Sequence, residues 1–143
     1  MSIQSILDRN GREVITIRAT ETVKTAADRM RARGIAALVM TNGDAIVGLI
    51  SERDIVRAIS VHAEQALSMT VRDVAPHAMI TVAPGDTLKH AMRLMTNHRV
   101  RHLPVFADRK LAGIASIGDV VKHRLEELET ESNVLRDAYL AAR

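Results

Sequence analysis

The sequence predicts a mixed α/β (α+β) fold. It consists of two copies of one strand–helix–strand–strand–helix unit, with an extended helix after the second. Three observations predict this. The phrase Gly48-Leu49-Ile50-Ser51-Glu52-Arg53-Asp54 returns as Gly113-Ile114-Ala115-Ser116-Ile117-Gly118-Asp119, 65 positions later. The same offset carries Ile15 onto Ile80, Thr16 onto Thr81, Thr22 onto Thr87, Met30 onto Met95 and Leu38 onto Leu103 without a gap. Short apolar runs then alternate with helical spacing in the same order in both copies. A unit of about 60 residues is small for a core of its own, so the copies are expected to share one.

The elements follow in order. Ser5 to Arg9 reads as a helical lead-in, with Thr70-Val71-Arg72-Asp73-Val74 as its counterpart. Val14 to Ile17 is a strand. Thr20-Glu21-Thr22 supplies cap chemistry for a helix that turns Val23, Ala26, Ala27 and Met30 inward, and Gly34 stands where a helix stop belongs. Ile35 to Met40 is a buried strand, Asn42-Gly43-Asp44 a hairpin turn and Ala45 to Ile50 the return strand. A second helix starts at Ser51 and is expected to bury Ile55, Val56 and Ile59. In the second copy Met79 to Val82 is the strand, and the helix after Pro84-Gly85-Asp86-Thr87 points Leu88, Ala91, Met92 and Met95 inward. Val100 to Phe106 and Leu111 to Ala115 form the hairpin. The helix from Ser116 runs on, with Val121, Leu125, Leu128, Leu135 and Tyr139 at spacings of three, four or seven and Ser132 in the gap. This tail fits an intrachain lid or a contact with a second subunit. The repeat divides the chain into residues 1–69, 70–125 and a helical extension over 126–143.

Composition narrows the function. The chain has 143 residues, no cysteine and a net charge of +3. Disulfides and thiolate metal sites are therefore excluded, and anionic ligands are mildly favoured. No apolar run reaches the roughly 18 residues that cross a bilayer. The N-terminal stretch lacks the pattern of an export signal, so no membrane partner and a cytoplasmic location are expected. Phe106 and Tyr139 are the only aromatic residues, too few for the stacking platforms of single-strand binders, which makes nucleic acid a poor partner.

Ser51-x-x-Asp54 and Ser116-x-x-Asp119 admit two readings. As helix caps, each hydroxyl accepts from a first-turn N–H and each carboxylate sits at the positive end of the helix dipole. As a ligand site, free N–H groups beside a hydroxyl suit a phosphate, and a carboxylate one turn on suits a ribose diol. Gly48 and Gly113 fit a close backbone approach. The two readings are compatible.

With Ile15-Thr16-Ile17 and Ile80-Thr81-Val82 opening the copies and Arg101-His102-Leu103-Pro104-Val105 before the second turn, the doubled phrase resembles a tandem pair of cystathionine-β-synthase-type (CBS) domains. This is the Bateman module, here of the stand-alone bacterial type. The resemblance covers roughly Val14 to Leu125. It implies a pseudo-twofold pair with two clefts for adenosine-containing ligands: AMP, ADP or ATP, with NAD or S-adenosylmethionine as further members of the class. Carried onto this chain, it implies one cleft with Ser51, Arg53 and Asp54 from one copy and Thr81, Arg101, His102 and Pro104 from the other. The second cleft would use Ser116 and Asp119 with Thr16. The Asp holds ribose, Ser and basic residues hold phosphate, and the early strand lines the base.

The copies differ. The first has Ile35-Ala36-Ala37-Leu38-Val39-Met40 where the second has a basic pair and a proline, and Ile117-Gly118 replaces Glu52-Arg53. The Asp54 cleft is therefore expected to be the tighter for phosphorylated ligands. His98 and His102 lack the partners of a zinc site. His62, His77, His90 and His123 read as surface residues, and Arg29, Arg31 and Arg33 as a wet helix face. No nucleophile–base set is present, so no enzyme is expected. The resulting expectation is a regulatory module that needs no cofactor, binds an adenine nucleotide, works as a homodimer and modulates a partner protein of unknown identity. Its rival is a structural or dimerisation module whose Ser-x-x-Asp phrases are caps alone.

Overall fold

The apolar runs and helical periods resolve into α1 (Ile3–Asn10), β1 (Thr16–Arg18), α2 (Val23–Arg33), β2 (Ala37–Asn42), β3 (Ala45–Ser51), α3 (Glu52–His62), a 3-10 segment (Ala63–Ser68), α4 (Val71–Val74), α5 (Leu88–His98), β4 (His102–Ala107), β5 (Lys110–Ser116) and α6 (Ile117–Ala141). The structure is a computed structural model and describes residues 1–10 and 13–142. The chain folds into two units. One is Glu13–Met79; the other joins α1 to everything from Ile80 onward.

In the Glu13–Met79 unit, β1 pairs parallel to β2, and β2 pairs antiparallel to β3. Thr22 caps α2 by accepting from the Thr25 N–H, and Gly34 stops it in the left-handed region at φ 63°. Ile17, Val23, Ala26, Met30, Leu38, Ile50 and Ile55 close the core together with Val71 and Ala75 from the segment after the 3-10 turn. In the other unit β4 and β5 form an antiparallel hairpin. Its core joins Leu88, Ala91, Met95, Leu103, Val105, Ala115 and Val120 to Ile3, Ile6 and Leu7 of α1. Among the described residues each unit therefore has an apolar cluster of its own.

Each short helix serves the copy it does not precede in the repeat. Ile3 and Gln4 donate to the carbonyls of Asp86 and Pro84, while Val71 and Arg72 donate to those of Glu21 and Ala19. Asp86 and Pro84 lie 65 positions beyond Glu21 and Ala19, so the two dockings are the same interaction made twice. The counterparts are Ile3 with Val71, rather than Ser5 with Thr70 as the gapless offset implies. Residue 69 falls within the Glu13–Met79 unit, which holds α4, while α1 groups with Ile80 onward. The extension over 126–143 is not a separate element; through Ala141 it continues α6.

The bulge between Met40 and Thr41 recurs between Val105 and Phe106, at the same offset. The strand expected over Met79 to Val82 does not recur in full. Only Val82 bridges, donating to the Pro104 carbonyl and accepting from the Phe106 N–H. In the first copy the Val39 N–H bonds the Ile15 carbonyl and the Ala19 N–H bonds the Thr41 carbonyl. Their counterparts are Pro104 and Pro84, which have no N–H to give.

Three inward-facing expectations are corrected. Val56, Ile59 and Met92 are exposed, because the inner faces of their helices are filled by Asp54, Ile55 and Ala58 in α3 and by Leu88, Ala91 and Met95 in α5. His123, expected at the surface, is only 2% exposed. It lies one turn after Val120 on the inner face of α6.

The two glycines of the repeated phrase have a packing role. A Cβ on Gly48 would stand 2.6 Å from Met40 Cε, and one on Gly113 would stand 2.6 Å from Leu7 Cδ2. Met is unbranched and yields more easily than a Leu in a closed core. Gly113→Ala should therefore cost about 1–3 kcal/mol through overpacking, and Gly48→Ala less. Urea denaturation of the two variants checks this; equal costs would contradict the assignment of Leu7 as the stiffer neighbour.

Candidate functional site

The end of each hairpin runs directly into a helix, and the junction is a complete capping box. In the first, Asp54 Oδ2 accepts from the Ser51 N–H at 2.8 Å and from its hydroxyl at 2.9 Å, while the Asp54 N–H reaches Ser51 Oγ at 3.4 Å. The second repeats it, with Asp119 Oδ2 at 3.1 Å from Ser116 N and 2.8 Å from Ser116 Oγ, and the Asp119 N–H at 3.2 Å from that Oγ. The first N–H inside each helix is also engaged: Glu52 donates to the Ala36 carbonyl and Ile117 to the Arg101 carbonyl. The ligand reading expected free N–H groups beside a hydroxyl. Part of that set is committed within the chain, because the cap and the neighbouring strand already use it.

The carboxylate's other oxygen is not part of the box. Asp54 is 7% exposed, and its Oδ1 lies 3.9 Å from Arg57 Nη1 one turn along. Arg57 was not among the predicted site residues. Its i,i+3 spacing from Asp54 and its counterpart Lys122 at the same 65-residue offset were legible signals for it.

The opening strand is held from α2. Arg29 donates to the Thr16 carbonyl at 2.9 Å and pairs with Glu21 at 3.3 Å, so it is not simply part of a wet face. Glu21 in turn accepts from the Arg18 N–H at 2.8 Å. That backbone bond, followed by the Arg29 guanidinium, lowers the Glu21 pKa from its ordinary value. Asp86 accepts from the Ala83 N–H in the same way at 2.8 Å.

Within the Glu13–Met79 unit, Thr16, Ser51, Arg53 and Asp54 stand at one end of the sheet. Thr16 pairs with Val39, which pairs with Leu49, and Ala37 pairs with Ser51. Within the other unit, Thr81, Arg101, His102, Ser116 and Asp119 gather at the corresponding end, where His102 pairs with Ser116. Pro104 is buried two residues further along β4. His98 closes α5 and His102 opens β4. Among the described residues no three of His, Asp or Glu form a metal-binding group, and no helix is long and apolar enough to cross a membrane.

A family model described as CBS domain matches this chain twice, over residues 6–61 and 71–126. The chain belongs to the CBS-domain family. It is 36% identical over 129 residues to a mitochondrial CBS-domain-containing protein of Arabidopsis thaliana, a match covering 83% of this chain and 62% of that one. The chain thus spans less than two thirds of that relative's length. The crystal structure of a CBS-domain-containing protein from Agrobacterium tumefaciens matches with a TM-score of 0.84 at 35% identity, covering 87% of this chain and 99% of that one. A CBS-domain pair crystallised with 5′-methylthioadenosine and S-adenosyl-L-methionine matches with a TM-score of 0.74 at 21% identity, over 85% of this chain and 98% of that one. That last likeness is one of fold.

In this CBS pair the anchoring of β1 should depend on pH. The folded pKa of Glu21 lies below its unfolded value, so its contribution is complete above the ordinary 4.5 and is lost as pH falls through the lowered value. The stability advantage of the natural chain over Glu21→Gln should be flat at neutral pH and shrink in acid. Denaturant midpoints across that range check it; an advantage that grows on acidification would contradict the sign.

Proposed function

We propose that the chain is a non-catalytic regulatory module that binds an adenosine-containing nucleotide of the AMP, ADP or ATP class and passes a conformational change to a partner protein. The observation that carries the reading is the doubled carboxylate. Asp54 and Asp119 are each fixed through Oδ2 by their own capping box, so Oδ1 is a preoriented acceptor for a ribose diol. In this reading Ser51, Arg53 and Asp54 work with Thr81, Arg101, His102 and Pro104 drawn from the other copy, and Ser116 and Asp119 work with Thr16. Arg57 joins Arg53 as a cation for phosphate. The Asp54 site is the tighter for phosphorylated ligands, since Gly118 stands where the first copy has Arg53. The chain acts as a homodimer in the cytoplasm. That a CBS pair of the same fold was crystallised with two adenosine derivatives supports the ligand class.

A second reading is favoured by one specific observation. Each Ser hydroxyl both donates to and accepts from the Asp that follows it, a closed arrangement that a structural module needs and that requires no ligand. Thermal unfolding in the presence of AMP, ADP, ATP, NAD and S-adenosylmethionine separates the two. A ligand at about 100 times its dissociation constant adds roughly 2.7 kcal/mol. Asp54→Asn, whose amide oxygen can still accept from the Ser51 N–H, should lose most of that increment, and Asp119→Asn less of it. No stabilisation by any of the five, in a chain that remains dimeric, establishes the structural reading instead.

A further inference from the structure

α6 has two faces. Val120 and His123 are buried against the core. On the side toward α1, the N-terminal amine lies 2.7 Å from Glu127 and Arg9 lies 3.0 Å from Glu126. On another face Val121, Leu125, Leu128, Ser132, Leu135 and Tyr139 follow one another at steps of four, three, four, three and four. These apolar side chains are exposed, Leu125 by 56% and Leu135 by 71%, so the tail does not lie as a lid on its own unit. Alternating steps of four and three bring each kind of position back every seven residues, the heptad spacing of a coiled-coil seam. Leu125, Ser132 and Tyr139 take one set of core positions, Val121, Leu128 and Leu135 the other.

We propose that this seam is covered by the same seam of a second copy, as a parallel, in-register two-stranded coiled coil. The inference deepens the self-association part of the reading above and does not depend on its ligand. The charges beside the seam select the occupant and its direction. One flank carries Arg124 and Glu131; the other carries Lys122, Glu129 and Arg136. In a parallel dimer each flanking residue faces the one five positions further on in the second copy. Arg124 then meets Glu129, and Glu131 meets Arg136, each twice by symmetry. The antiparallel register that keeps Val121 through Tyr139 paired instead sets Glu129 and Glu131 against their own copies and Lys122 against Arg136. Arg124 already contacts Glu127 and lies 3.9 Å from Glu131 in its own helix, so Glu131 with Arg136 is the pair that reports most cleanly on orientation. The helix is held at its start by the Ser116 capping box and by packing on α1. This lowers the nucleation cost that makes short isolated helices marginal.

The 143-residue chain tests this directly, because it has no cysteine of its own. Under mild oxidation Tyr139→Cys should give a disulfide-linked dimer, and adding Leu128→Glu and Leu135→Glu should abolish it. Arg136→Glu should raise the dimer dissociation constant about tenfold by sedimentation, and Glu131→Arg in the same chain should restore it. These side chains are exposed, so circular dichroism should show every variant folded. A chain that sediments as a dimer but does not cross-link through Tyr139→Cys overturns the seam while leaving self-association through another face. A monomeric chain overturns both. Neither result bears on nucleotide binding, which the thermal shifts read separately.

Discussion

A carboxylate bonded back to the serine that starts its helix fixes the geometry on which the candidate site depends. Asp54 and Asp119 each take the amide and the hydroxyl of the residue three positions earlier. That closes the corner where β3 becomes α3 and β5 becomes α6. The corner fixes the direction of the carboxylate's second oxygen, and it places the first helical turn against the Ala36 or Arg101 carbonyl. A cap of this type contributes about 1 kcal/mol. Its larger consequence is order, and under the proposed function an acceptor held by two hydrogen bonds would lose little freedom on taking a diol.

Around that corner the two copies are the same construction with different terminations. The bulge, the caps and the docking of a short helix onto the 19–21 or 84–86 segment all recur. The second copy loses its opening strand because Pro84 and Pro104 occupy two donor positions of the ladder. The basic pair beside Pro104, Arg101-His102, replaces Ala36-Ala37. The scaffold is thus shared by the two copies while the polar residues on it differ.

Much of this was legible without coordinates. Thr22, Ser51, Thr87 and Ser116 announced their helices through short polar side chains that satisfy first-turn N–H groups, and Gly34 announced a stop. Periodicity failed where a polar group took an inner position. Asp54 faces inward on α3, which turns Val56 and Ile59 to the surface, and His123 is buried because the inner face of α6 continues past Val120. The docking of α1 on the second copy could not be read from the gapless alignment, because Ile3 and Val71 are 68 positions apart and not 65. The glycines of the repeated phrase looked like room for a ligand, yet their missing Cβ atoms make room for Met40 and Leu7. Of the candidate site, the Ser and Asp positions were readable from spacing. Arg57 beside Asp54 could have been found from its i,i+3 spacing, whereas Arg29 behind Thr16 comes into view only when the strand and helix are placed.

The central claim is that the capped carboxylates are acceptors as well as caps. A crystal structure of the chain grown with AMP tests it most directly. The account predicts ribose hydroxyls within hydrogen-bond distance of Asp54 Oδ1 while Oδ2 keeps its bonds to Ser51. Electron density with no nucleotide at either Asp54 or Asp119, and both capping boxes intact, would contradict it.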